Sequence, residues 1–125
     1  KQMAILDPAM ATLIEHLHED KLLEHTLVLW GGEFGRDPRI NLADGRDHWP
    51  HGFTVAMAGG GITGGQVIGS TTSKGESAKD RPVTPANIHA TVYECMGIDP
   101  KLHILDHAGR PTPVLDDPTP IHELL

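Results

Sequence analysis

The sequence predicts an α/β fold whose sheet is parallel in part, and three observations carry that expectation. An amphipathic helix follows Asp7-Pro8, a continuous apolar run spans Thr26–Trp30 just after it, and a second helix signature opens at Thr84-Pro85. A run that is apolar throughout, with no alternation, suits a central strand buried on both faces. Helix followed by buried strand is half of a βαβ unit, which places parallel strands in the sheet.

Taken in order, Asp7 reads as an N-cap and Pro8 as the first helical residue, where a missing N–H costs nothing. Met10, Leu13, Ile14 and Leu17 then recur at helical spacing, with Glu15, Glu19 and Asp20 on the other side. Lys21-Leu22-Leu23 closes the helix, and Gly31-Gly32 ends the strand that follows. From Gly31 to Pro50 the chain has no period of either kind, and long ordered loops in small domains are usually functional. Phe53–Ala58 reads as a second strand halted by Gly59-Gly60-Gly61, and Gln66-Val67-Ile68 as a short third strand on an edge. Residues 70–80 read as a polar loop. After Thr84-Pro85, Ile88, Val92, Cys95 and Met96 share one helix face, and Gly97 is a left-handed terminator. Beyond Asp99-Pro100 the chain reads as loop, with a turn at Ala108-Gly109-Arg110-Pro111 and a short closing segment at Ile121–Leu125.

Two helices and about three strands are a small inventory for a self-sufficient α/β domain, because a buried strand needs neighbours on both edges and helices on both faces. The sequence is therefore expected to be a fragment, or to lean on another chain.

Composition narrows the function classes. A formal charge of −7, from 17 acidic and 10 basic residues without a Lys/Arg cluster, argues against nucleic acid and against a polybasic membrane surface. No apolar run approaches the roughly 20 residues that span a bilayer, and Lys1-Gln2-Met3-Ala4 lacks the apolar stretch of a signal peptide. Cys95 is the only cysteine, which rules out an internal disulfide and a cysteine-based zinc finger. The 9 histidines are scattered. His16, His18 and His25 read as surface residues of the first helix and its exit, and His89, His103, His107 and His122 have no chemical partner in sequence.

Chemistry concentrates between Gly32 and His51. Glu33 directly follows the apolar strand, and ligands of open α/β sheets sit at the carboxyl ends of strands. Gly45-Arg46-Asp47-His48-Trp49-Pro50-His51 then packs a carboxylate and two imidazoles into a few positions. Carboxylate oxygens and neutral imidazole nitrogens are the donors that zinc and manganese take in hydrolytic sites. Adjacent residues of an extended stretch point to opposite sides. Asp47 and His48 therefore need an irregular backbone or two ions to ligate together; otherwise one ligates and Asp47 orients an imidazole. Arg36 and Arg46 are candidates for an anionic substrate group through the guanidinium fork. Plainer roles stand beside these: Glu33 as a cap or an ion-pair partner of Arg36 or Arg46, the Asp-His pair as solvated loop, and the arginines as ties to carbonyls. Gly59–Gly65 lacks the Lys-Ser/Thr of a P-loop and does not match Gly-x-Gly-x-x-Gly, so it reads as a turn. Ser70-Thr71-Thr72-Ser73 has no base arranged beside it, and a Ser-His-Asp nucleophile is unsupported.

Leu29-Trp30-Gly31-Gly32-Glu33-Phe34-Gly35-Arg36, followed by Gly45-Arg46-Asp47-His48-Trp49-Pro50, resembles the bacterial family called domain of unknown function 1501, whose members resemble sulfatases and the alkaline-phosphatase-like superfamily. Ala58–Ile62, Asp80–Thr84, Ala90–Tyr93, Met96–Asp99, Gly109–Pro111 and Pro120–Leu125 extend the likeness over nearly the whole chain. Asp37 stands where members usually carry Thr, and Phe34 where the better-known enzymes carry His. The resemblance implies the C-terminal part of an alkaline-phosphatase-like sandwich, with a mostly parallel central sheet flanked by helices. Residues 1–125 would then be the C-terminal fragment of a single domain whose nucleophile lies upstream.

The resemblance also implies a metal-dependent hydrolase acting on phosphate or sulfate esters. Glu33, Asp47, His48 and, more weakly, His51 would be ligands to divalent zinc, manganese or calcium ions, and the substrate a small-molecule ester or a sulfated or phosphorylated polymer. The resemblance points to an exported protein. The alternative is a sulfatase-like binding protein that kept the fold and lost the metal site, which the change to Glu33-Phe34 favours; a third reading is a free-standing interaction domain.

Overall fold

The computed structural model describes residues 3–125, and Lys1-Gln2 lies outside it. Helix α1 spans Met3–Glu19 and begins before the expected cap at Asp7, so Pro8 lies within it. Met3, Ala4, Ile5 and Leu6 are competent helix residues that extend the helix backwards. Pro8 cannot donate to the Ala4 carbonyl four residues earlier, and an early position limits that loss. A 3-10 turn at Leu23–His25 leads into strand β1, Val28–Gly31.

The strands correct the expected architecture. Among the described residues strand β1 pairs only with β4, Val55–Ala58, and the pairing is antiparallel with Val28 opposite Ala58 and Gly31 opposite Val55. Three further antiparallel pairs complete the inventory: β2 (Gly35–Arg36) with β3 (His48–Trp49), β5 (Ser70–Thr71) with β6 (Ala78–Asp80), and β7 (His103–Leu105) with β8 (Pro111–Pro113). The described residues thus form four two-stranded antiparallel sheets and two α-helices, and not a mostly parallel central sheet flanked by helices. The reason lies in the connection. A parallel return needs a crossover, usually helical, whereas residues 32–54 make a non-helical excursion through β2 and β3 and come back antiparallel. Nor is β1 buried on both faces, since Leu29 and Trp30 are 47% and 41% exposed.

Smaller differences follow the same logic. Gln66-Val67-Ile68 finds no ladder partner among the described residues, and Val67 is 93% exposed. The pairing falls instead within the expected polar loop, where Ser70 donates to the Asp80 carboxylate across β5–β6 at 2.7 Å. The stretch after Pro100 is likewise a hairpin, β7–β8. It closes through Asp106, whose carboxylate accepts the Ala108 and Arg110 N–H groups at 2.8 and 2.9 Å. The turn after β4 depends on Gly59, because a side chain at its φ of +72° would meet the Thr26 and Leu23 carbonyls.

Helix α2, Pro85–Cys95, matches its sequence signature. Thr84 caps it in a capping box with Asn87, and Gly97 follows at φ +73°. The small core lies between this helix and the C-terminal segment, where Ala90, Thr91, Pro100, Pro120 and Ile121 are buried. The Ile121 N–H donates to the Thr91 hydroxyl at 2.8 Å. Arg81 grips the Glu123 carboxylate at 2.7 and 2.9 Å, which pins the closing 3-10 turn, His122–Leu124, beside the entrance to α2. No described helix is long and apolar enough to cross a membrane.

Candidate functional site

Strand β1 delivers the chain to Glu33, which is exposed, and β2 and β3 then bring residues 35–36 against 48–49. Gly35 sits opposite Trp49 and Arg36 opposite His48. Gly35 is required by close approach: a Cβ there would meet the Gly52 carbonyl. Residues directly opposite in an antiparallel pair share a face, so Arg36 and His48 stand together. The His48 ring lies on Phe34 with centroids 4.0 Å apart, and the Arg36 guanidinium lies 5.6 Å from the same ring's centroid.

Trp49 takes the other face. Its indole N–H donates to the Glu76 carbonyl at 2.6 Å, Arg39 lies 5.5 Å from its ring centroid, and His51 meets it edge-on at 4.9 Å. The tip of hairpin β5–β6 thereby braces β3.

The polar bonds of the loop divide its charges unevenly. Arg39 holds the Asp37 carboxylate at 3.1 and 3.2 Å. Hydrogen bonds from the Arg39 side chain, then from its backbone N–H, keep the Asp37 carboxyl below the usual carboxylate range. Asn41 donates to Asp47 Oδ1 at 2.8 Å. Arg46 donates to the Asp37 carbonyl at 2.8 Å and Arg36 to the Arg46 carbonyl at 3.4 Å. Among the described residues neither Arg36 nor Arg46 forms an ion pair with a carboxylate. Each guanidinium has five N–H donors, so one carbonyl tie leaves most of the fork available.

The loop thus carries Arg36 and His48 on one face of the β2–β3 pair and Asp47 on the other, with Arg46 tied to the Asp37 carbonyl and Glu33 exposed after β1. Asp47 and His48 are turned to different partners, Asn41 and Phe34. Among the described residues no three His, Cys, Asp or Glu side chains converge to hold a metal ion. Glu33, Asp47, His48 and His51 therefore do not form a closed cage. The contacts of Phe34, Asn41 and Trp49 emerge only from the structure. Of these, Asn41 had a sequence signal: an Asn shortly before Asp44-Gly45 is turn chemistry.

These features describe a charged, aromatic-braced loop at the end of a strand. The family model for proteins of unknown function, DUF1501, matches residues 1–125, and the chain belongs to that family. No curated protein and no solved structure matches the chain.

Proposed function

We propose that this chain supplies the anion-binding edge of a metal-dependent hydrolase of the sulfatase or phosphatase type, acting on phosphate or sulfate esters. The observation that carries the reading is the pair Arg36 and Arg46, whose side-chain hydrogen bonds among the described residues go to carbonyls, in a chain whose net charge is −7. Guanidinium forks match the geometry of a tetrahedral oxyanion and bind it through charge-assisted hydrogen bonds. Arg36 and Arg46 would seat and orient the ester's anionic group.

A divalent zinc, manganese or calcium ion belongs to this reading through Glu33, Asp47, His48 and His51. Since these four do not close a cage, the remaining ligands would come from polypeptide outside the described residues, as would the nucleophile. The same holds for packing. Ala90 and Ile121 are the buried hydrophobic residues, while large apolar side chains such as Ile5, Leu13, Trp30 and Phe53 are exposed. An apolar trough of about 630 Å³ also runs beside β4, lined by Val55, Met57, Ile62, Ile88 and Leu124 among others. In this reading the chain is the C-terminal part of a larger domain, and the rest of that domain covers these surfaces.

The test is hydrolysis of phosphate and sulfate esters with added zinc, manganese or calcium by the full-length protein that carries this chain, compared with its Arg36→Ala and Arg46→Ala variants. The expected result is turnover whose KM rises at least about tenfold in each variant, the loss of one charge-assisted contact. Unchanged KM in both would overturn the anion role. Metal analysis of Glu33→Ala, Asp47→Ala and His48→Ala checks the ligands, and unchanged content in all three removes them from the site.

A second reading, a binding protein without catalysis, is favoured by the tilted packing of His48 on Phe34, centroids 4.0 Å apart, which engages the imidazole away from Asp47. Anion binding without turnover of any ester would select it.

A further inference from the structure

We propose that the free edge of β7, His103–Leu105, pairs antiparallel with the same edge of a second copy of this chain, so that two β7–β8 hairpins join into one continuous sheet. The pairing uses none of the residues of the anion-binding reading.

The alternation of the ladder shows which main-chain groups face outwards. In an antiparallel pair, residues that exchange N–H···O bonds alternate with residues whose groups point away from the partner strand. In this hairpin the Val114 N–H donates to the Leu102 carbonyl and the Asp106 N–H to the Arg110 carbonyl, each at 2.9 Å. The bonded pairs are therefore Leu102 with Val114, Ile104 with Thr112 and Asp106 with Arg110. His103 opposite Pro113 and Leu105 opposite Pro111 are the alternate pairs, and their N–H and carbonyl positions face outwards. The two edges differ in consequence. On β8 both outward positions are proline, which has no N–H to offer a neighbouring strand. On β7 both are ordinary residues, and among the described residues neither the His103 nor the Leu105 N–H has a main-chain acceptor.

The pattern selects a second copy as the occupant because it is self-complementary. The outward residues His103 and Leu105 flank Ile104 symmetrically. A two-fold axis through Ile104 sets each His103 against Leu105 of the other copy, and each such pair exchanges both N–H···O bonds. The two Ile104 residues then meet as a close pair without main-chain bonds between them. Their side chains are free to do so, since Ile104 is 57% and Leu105 71% exposed. Natural edge strands are protected by Lys, Pro or a bulge, and β7 carries none of these. The prolines of β8 also end the assembly: once β7 meets β7, both outer edges lack donors and growth stops at two copies. An isolated two-stranded hairpin is marginal in water, and the joined sheet supplies the further strands that each hairpin lacks. The edge is 3 residues long, so the contact belongs to the small, transient class of interface.

The test is sedimentation equilibrium of the full-length protein that carries this chain, from about 10 μM to about 1 mM, the range of a weak contact. A monomer–dimer equilibrium without larger species is expected. Leu105→Pro gives β7 the feature of β8, at a position that donates nothing within the hairpin, and is expected to weaken dimerisation at least about tenfold. If that variant fails to fold, Ile104→Lys changes an exposed side chain and sets like charges against each other across the axis; it is expected to do the same. Cross-linking reads the register, with Cys95 and any other cysteine replaced by Ser. Ile104→Cys is expected to form a disulfide-linked dimer under mild oxidation, because Cα atoms of a non-bonded antiparallel pair lie within disulfide reach. Thr112→Cys, on the outer strand, is expected to stay unlinked. A protein that remains monomeric throughout the range overturns the proposal. So do species larger than a dimer, a dimer that both edge variants leave unchanged, and a dimer in which Ile104→Cys does not cross-link.

Discussion

The loop from Glu33 to His51 and the corner formed by α2 with the C-terminal segment are ordered by different means. In the corner, Ala90, Thr91 and Ile121 are buried, and the helix is capped at Thr84. In the loop no residue is fully buried. Its shape comes from polar ties to Asp37, Asn41 and Asp47 and from aromatic contacts at Phe34 and Trp49. Packing holds a corner that has no evident chemistry, while hydrogen bonds hold the region that presents charge. A site built this way keeps its polar groups accessible, and each tie becomes a point at which it can be disarmed.

Substitutions should separate the two regions, and the largest effect belongs to the corner. Ile121→Ala is expected to cost about 2–5 kcal/mol in chemical denaturation, from lost burial and the cavity left behind. Phosphate affinity of the folded fraction should be unchanged; a parallel loss of binding would show that corner and loop are one unit. Next comes Gly35→Ala, which drives a methyl into the Gly52 carbonyl. Overpacking of this kind costs about 1–3 kcal/mol, and here it should separate β2 from β3 and abolish phosphate binding while helix content persists. Retained binding would break the link between register and site. Thr84→Ala removes the cap and should cost about 1 kcal/mol, again without changing affinity.

The smallest effect is a pH dependence. The Arg81 guanidinium beside Glu123, as the leading cause, lowers that carboxyl from 4.5 to about 2. A carboxyl whose folded value is depressed contributes stability above its unfolded value and loses it as pH falls through the folded one. The contribution is therefore whole above about pH 4.5 and lost towards pH 2. Both side chains are more than a third exposed, so solvent screens the pair and the effect is small. Arg81→Ala should flatten the acid limb of the stability profile between these values; an unchanged limb would remove the pair from the corner's support.

The same contrast explains what was legible in the sequence. Thr84-Pro85 and Gly97 announce α2 because capping is local chemistry. The apolar runs at 26–30 and 53–58 locate β1 and β4 to within a few residues. They do not reveal direction, because an apolar run records a demand for burial and says nothing of which strand will meet it. Hairpins β5–β6 and β7–β8 escaped because turns and side-chain acceptors such as Asp106 hold them, with no apolar period to read. In the loop, Glu33, Arg36, Arg46, Asp47 and His48 stood out by residue type. The bond from Asn41 to Asp47 and the contact of His48 with Phe34 depend on spatial pairing that spacing alone does not give.

The most direct measurement of the central claim is calorimetric titration of inorganic phosphate into the parent protein, Arg36→Ala and Arg46→Ala, at low and raised salt. Saturable binding to the parent, weakened by salt and lost in both variants, is the expected result. Binding that is absent from the parent, or equal in all three proteins, would contradict an anion site on this loop.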